Sequence, residues 1–287
     1  MDDGIKRQAI ALYDRFTHEG LPRREFMSRM VALAGSVAAA EALIGAIAAS
    51  PAAAAIVPEG DTRLRTGGLS LANYPVYGAM PRKRSGKLPA VLVIHENRGL
   101  NAHIRDVTRR LALAGYFAVA PDLLAPAGGT PTNEDRAREL INKLDLARSV
   151  RDATAMLDRL HRNSGGNGKV GVVGFCWGGG FVNRLAVAAG TKLDAGVAYY
   201  GPAPNPAEAP KVQAPLLLHY AGRDDRVNAT GKPWVAALKA AGKPVDSFTY
   251  EGADHAFNND TSAERYNKAA ADLAWQRTLA FFKRYLS

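Results

Sequence analysis

Cysteine occurs once in this chain, and its neighbours suggest chemistry rather than packing alone. Gly174-Phe175-Cys176-Trp177-Gly178-Gly179-Gly180 follows an apolar run, Val170–Gly174, and leads into a segment with helical spacing. This is the G-x-C-x-G form of a G-x-S-x-G elbow, a sharp strand-to-helix bend that presents a nucleophile. Glycines flank such a bend because a β-carbon there would strike the adjoining strand and helix. A helix that starts directly after Cys176 aims free N–H groups and the positive end of its dipole at the sulfur, which favours a thiolate. The Trp177 amide is then placed to donate into an oxyanion hole. The plainer reading of the same residues is a buried cysteine in a glycine-rich turn. A phosphate loop is excluded, since no Lys-Ser/Thr follows and the G-x-G-x-x-G spacing of a dinucleotide site is absent.

A cysteine nucleophile needs a base, and the base needs something to orient it. Strand 215–220 ends in Ala221-Gly222-Arg223-Asp224-Asp225-Arg226-Val227, which offers an acid at a strand's carboxyl end. After the next strand comes Tyr250-Glu251-Gly252-Ala253-Asp254-His255-Ala256-Phe257, a loop histidine. Cys176, Asp224 and His255 therefore follow the order nucleophile, acid, histidine. His255 would take the thiol proton and later activate water, while Asp224 would fix its tautomer. Asp225 is the alternative acid, and aspartates in Gly-Asp turns also serve as caps. The other histidines (His18, His95, His103, His161, His219) read as structural or surface groups. They share no metal-ligand spacing, so no metal is expected, and one cysteine allows neither an intramolecular disulfide nor a cysteine-based zinc cluster.

The elements that must position these residues alternate between strand and helix. Strands are predicted over 90–94, 116–120, 170–174, 195–200, 215–220 and 247–250. Helices are predicted over 101–115, 133–162 (one long helix), 179–189, 232–241 and 263–286. Residues 67–81 read as a Gly/Pro-punctuated approach. Strands joined by helices of this length imply crossovers and a doubly wound, mainly parallel α/β sheet with helices on both faces. Reactive groups in such sheets sit at the carboxyl ends of the strands. Neither an internal repeat nor a second core is evident, so 56–287 reads as one domain.

Residues 1–55 read differently. A polar stretch to about Met30 is followed by an apolar, alanine-rich one ending Ser50-Pro51-Ala52-Ala53-Ala54-Ala55, with Pro22-Arg23-Arg24-Glu25-Phe26 at the junction. The pattern resembles a twin-arginine export signal, departing from it at Pro22 and Glu41, and predicts a periplasmic or exported protein. The alternative is a retained amphipathic extension on a cytoplasmic protein. Glu41 breaks the apolar stretch below the roughly 20 residues of a stable membrane span. With 47% hydrophobic and 22% charged residues in 287, the chain is neither disordered, collagenous nor a polytopic membrane protein. Its net charge of +10 (37 basic less 27 acidic) is scattered without interleaved aromatics, which argues against a nucleic-acid partner.

Taken together, His95-Glu96-Asn97-Arg98-Gly99-Leu100-Asn101, Gly115-Tyr116, Ala120-Pro121-Asp122-Leu123, Gly171–Gly180, Tyr199-Tyr200-Gly201, Ala221-Gly222-Arg223-Asp224 and His255-Ala256-Phe257 resemble the dienelactone hydrolase (carboxymethylenebutenolidase-like) family. The resemblance covers nearly all of 65–287 and implies an α/β-hydrolase fold with a Cys-Asp-His triad at Cys176, Asp224 and His255. It places the acid two residues after the glycine, at Asp224. It also implies that Glu96 regulates the resting thiol, that the Asn97 amide is the second oxyanion donor beside Trp177, and that Arg138 binds a substrate carboxylate. The family's second arginine falls at Asn259, a departure for which Arg98 is the candidate replacement. The expected activity is hydrolysis of small esters or lactones, anionic ones included, through an acyl-thioester and without a cofactor. The alternatives are a broad carboxylesterase or thioesterase on the same fold, or a non-catalytic thiol sensor or binding protein. Oligomeric state is not legible in the sequence.

Overall fold

The structure is a computed structural model that describes residues 3–48 and 55–287. Eight strands form one sheet: β1 (Leu64–Leu71), β2 (Tyr74–Pro81), β3 (Leu88–Ile94), β4 (Phe117–Pro121), β5 (Gly166–Phe175), β6 (Ala195–Tyr199), β7 (Leu216–Ala221) and β8 (Val245–Tyr250). Their order is β1-β2-β4-β3-β5-β6-β7-β8. The β1/β2 and β2/β4 pairs are antiparallel and the others parallel. The antiparallel edge begins in the stretch read as an irregular approach. Ala72 and Asn73, both at positive φ (49° and 68°), turn β1 into β2 across a two-residue hairpin loop. Its glycines and prolines masked the strand signal.

Three helices precede the sheet: α1 (Asp3–His18), α2 (Arg23–Ala34) and α3 (Val37–Ile47). The others are α4 (Ala102–Leu113), α5 (Glu134–Asn142), α6 (Leu146–His161), α7 (Trp177–Ala188), α8 (Asp225–Ala240) and α9 (Lys268–Leu286). The parallel strands are apolar on both sides because both sides are covered. Leu92, Ile94, Val172 and Leu218 face α6, α7 and α8, while Val91, Val93, Val173 and Phe175 face α4 and α9. The single helix expected over 133–162 is two, and Asp145 caps the second by accepting a hydrogen bond from Arg148 N. The helix expected from Lys232 begins at Asp225 and carries Gly231 and Pro233 inside it. The terminal helix starts at Lys268, capped by Asn267, rather than at 263.

The N-terminal helices have a small core of their own, in which Ile10, Phe26, Met30, Leu43 and Ile47 are buried. Phe16 and Phe26 stack at 4.2 Å between α1 and α2. The unit lies on the carboxyl ends of the sheet strands. Asp14 meets Arg265 at 3.4 Å, the Ile47 carbonyl accepts from Ser262 Oγ (2.5 Å) and Arg265 Nε (3.1 Å), and Lys6 pairs with Glu264. The Arg23-Arg24 pair opens α2, with Arg23 on Asp135. Ser50–Ala54, at the expected cleavage region, lie outside the described residues. No single helix among the described residues is long and apolar enough to cross a membrane; α2 and α3 pass such a test only jointly and are bent by 105°.

Candidate active site

Cys176 sits at the β5–α7 junction with φ 55° and ψ −116°. A non-glycine residue in this conformation costs about 1–3 kcal/mol, and close packing around the bend enforces it. Its own N–H donates to Tyr199 O at 3.0 Å, and its carbonyl accepts from Gly180 N at 3.1 Å. A β-carbon on Gly174 would lie 2.2 Å from Gly178 O, and one on Gly178 would lie 2.5 Å from His95 O. The elbow's glycines are thus close-approach positions, as their spacing implied.

The structure brings the three expected partners together. Asp224 lies in the loop after β7 and caps α8, its Oδ1 accepting from Val227 N at 3.1 Å. Its Oδ2 lies 2.5 Å from His255 Nδ1. Asp225 is exposed and one position beyond, so the geometry selects Asp224. Burial opposes charge on His255, but Asp224 and the Cys176 sulfur outweigh it and push its pKa up to about 10. Burial works to raise Asp224 and is outweighed by His255, Arg226 and the Val227 amide, which hold its carboxyl below the usual range. With Nδ1 committed to Asp224, His255 Nε2 is buried and has no hydrogen-bond partner among the described residues. It lies with Cys176 Sγ and a His18 ring nitrogen in a cluster whose ligand atoms are all within 4.8 Å of one another. The pair is a short adjustment from a thiol–imidazole hydrogen bond.

His18 corrects the expectation that it is a structural or surface group. It ends α1, its Nε2 is 4.0 Å from Cys176 Sγ, and its ring meets the His255 ring edge-on at 4.7 Å. Burial, then the charge on His255 and nearby arginines, lowers its pKa well below the ordinary value, so the ring is neutral. Nothing in local sequence marks it; α1 carries it there from 158 positions away. The other histidines are structural, as expected. His95 holds the β3 loop, its Nδ1 bonded to Glu96 O (2.7 Å) and its Nε2 accepting from Leu123 N (3.3 Å). His103 pairs with Asp260 and His219 bonds Tyr250 and Thr278.

Of the remaining expected residues, Glu96, Asn97 and Arg98 line one small cavity with Cys176 and His255, beneath Tyr13, Thr17 and His18 of α1, whereas Arg138 and Trp177 are not among the residues lining it. Glu96 is buried, its Oε2 accepting from Asn259 Nδ2 at 2.9 Å, and no hydrogen bond among the described residues joins it to the thiol. Asn259, the departure from the family arginine, is therefore Glu96's anchor. Asn97 reaches the Thr17 carbonyl through Nδ2 at 3.4 Å. Arg98 donates to Tyr13 Oη at 2.5 Å and pairs with Glu134 at 2.9 Å. Arg138 bonds Asp135 at 3.0 Å and lies 4.3 Å from the centre of the Phe16 ring. Trp177 stacks on His95 at 5.6 Å and packs against Phe181. The cavity holding Cys176, His255, His18, Glu96, Asn97 and Arg98 has a volume of about 20 Å³, room for roughly one water.

A parallel sheet with helices on both faces, a nucleophile-type elbow after its central strand, and an acid and a histidine on later strand ends define an α/β-hydrolase. The dienelactone hydrolase family profile matches residues 75–286. A protein of Escherichia coli (strain K12) named "Putative carboxymethylenebutenolidase" is 35% identical over 259 residues, covering 83% of this chain and 94% of its own. One of the same name from Methylorubrum extorquens is 36% identical over 230 residues, covering 74% of this chain and 77% of its own. The crystal structure titled "Putative Dienelactone Hydrolase" from Klebsiella pneumoniae superposes with a TM-score of 0.71 at 33% identity, covering 77% of this chain and 99% of that one. The chain belongs to the dienelactone hydrolase family and is a hydrolase.

Proposed function

We propose that the protein opens small carboxylic esters or lactones through a Cys176 thioester. His255 Nε2 takes the thiol proton while the sulfur attacks the substrate carbonyl carbon, and the new oxyanion is received by the Trp177 and Asn97 amides. Collapse expels the alkoxide, which recovers the proton from His255; in a lactone it stays attached as a hydroxyacyl chain. His255 then deprotonates water, hydroxide attacks the thioester, and the carboxylic acid leaves as the sulfur is freed. Asp224 keeps Nδ1 protonated and balances the imidazolium. Glu96, in the same cavity, opposes premature ionisation of the thiol. Arg98 and Arg138 are the cations available to an acidic substrate once α1 releases them.

The observation that carries this reading is the 2.5 Å Asp224–His255 contact behind an imidazole whose other nitrogen is buried, without a hydrogen-bond partner among the described residues, and clustered with the elbow sulfur. A panel of aryl esters and acidic and neutral lactones tests it. Cys176→Ala should lower kcat/KM by at least about 10³-fold while keeping the wild-type circular dichroism. Rapid quenching with a slow ester should show an acylated wild-type mass, absent from Cys176→Ala. Full activity in that variant removes the mechanism.

A further inference from the structure

Outside its role in turnover, the cysteine belongs to a donor set that the linear sequence does not display. His18 comes from the end of α1, Cys176 from the β5–α7 elbow and His255 from the loop after β8, and their ligand atoms lie within 4.8 Å of one another. We propose that these three residues bind one borderline-soft divalent cation of the zinc class, which occupies the nucleophile and its base and fastens α1 over them.

The donor chemistry is that of such an ion: one thiolate and two imidazoles, with room for a water as fourth ligand in the cavity of about 20 Å³. Zinc–nitrogen and zinc–sulfur bonds of about 2.0 and 2.3 Å in a tetrahedron put neighbouring donors about 3.3–3.5 Å apart. The 4.0 Å from Cys176 Sγ to His18 Nε2 is already near that, so small side-chain rotations close the set. Among the described residues His255 Nε2 is buried without a hydrogen-bond partner, and it shares the cluster with Cys176 Sγ and the His18 ring. Its Nδ1 is held at 2.5 Å by Asp224, the carboxylate–histidine arrangement that orients metal-bound imidazoles. Arg98 and Arg265 also face the cavity and oppose a cation. Glu96 also lines the cavity and offsets them, and Arg265 is paired with Asp14 at 3.4 Å. Binding forms a sulfur–metal and two nitrogen–metal bonds and releases to water the one proton that Cys176 and His255 Nε2 hold between them.

The proposal does not rest on the hydrolytic reading, because binding is measured without turnover. The full chain, stripped with a chelator, is titrated with zinc chloride against a fluorescent zinc indicator, and separately with cobalt(II) chloride by absorption. One equivalent of zinc should bind, and the cobalt adduct should show a thiolate-to-metal charge-transfer band. With one cysteine in the chain, that band reports Cys176 alone. Cys176→Ser should abolish it. His18→Ala or His18→Asn should weaken zinc by about tenfold or more, whichever of the two keeps the wild-type circular dichroism being read. A wild-type cobalt spectrum without the band overturns the proposal irrespective of any variant, as does unchanged zinc affinity in a folded His18 variant. If zinc binds as expected and no ester is turned over by the metal-free enzyme, the hydrolytic reading fails and the metal site stands.

Discussion

Residues that titrate away from the active site tell as much about the fold as those within it. His219 lies on β7, the strand that ends at the Asp224 loop, and is fully enclosed between Tyr250 Oη (2.9 Å) and Thr278 Oγ1 (3.1 Å). Burial, and to a lesser degree Arg277, lowers its pKa to about 3. The unfolded chain therefore binds a proton here below about pH 6.5 that the folded chain refuses until about pH 3. Its contribution to stability is intact above pH 6.5 and is lost as pH falls, by up to about 1.4 kcal/mol per pH unit. Urea unfolding at pH 7, 6, 5 and 4 should show that decline, and His219→Gln, which cannot take up the proton, should flatten it. An equal slope in the two proteins would mean that other groups account for the acid sensitivity. Cys176 and His219 thus sit at opposite ends of the same problem: one is strained and placed for reaction, the other locked neutral to hold the strand.

The elements were legible to the extent that their signal is local. Continuous apolar runs marked the parallel strands, and the elbow motif with its downstream Asp224 and His255 was readable because each lies at a strand's carboxyl end. What was lost depended on partners. The β1–β2 hairpin is rich in glycine and proline and becomes strand only through its pairing with β4. The break between α5 and α6 needed the Asp145 cap to be weighed above a continuous helical period. His18 and Asn259 were unreadable as site residues, since one arrives on a separate helix and the other works by holding Glu96. The β5–α7 junction gives the sharpest test at this scale. Gly174→Ala puts a methyl 2.2 Å from the Gly178 carbonyl oxygen, backbone that cannot rotate away. The expected loss is about 1–3 kcal/mol or more by chemical denaturation, together with a displaced Cys176 and reduced esterase activity. Gly168→Ala, near the start of β5 with open space around it, should disturb activity far less, although its φ of +81° leaves some strain.

For the whole molecule, α1 lies over Cys176 and His255, and on the proposed mechanism this arrangement decides whether a substrate reaches them. A cavity of about 20 Å³ admits a water and not an ester, and Asn97, Arg98 and Arg138 are each engaged by a residue of α1. On that mechanism turnover requires α1 to move aside, and packing within the N-terminal unit sets the resistance to that movement. Phe26 backs that unit: it is buried, stacks on Phe16 at 4.2 Å and meets Tyr13 edge-on at 6.2 Å, so it supports both rings that touch the site arginines. Phe26→Ala removes about 3–5 kcal/mol of packing from this unit, while the sheet and its two clusters keep their own contacts. The loss should fall on local opening rather than global unfolding, and raise the rate at which a disulfide reagent labels Cys176 by about 10- to 100-fold. kcat/KM for a small ester should rise with it, because both reactions need the same exposed sulfur. Faster labelling without faster hydrolysis would mean that α1 shapes the active site as well as covering it. Unchanged labelling in a folded variant would mean that the N-terminal unit does not control access at all.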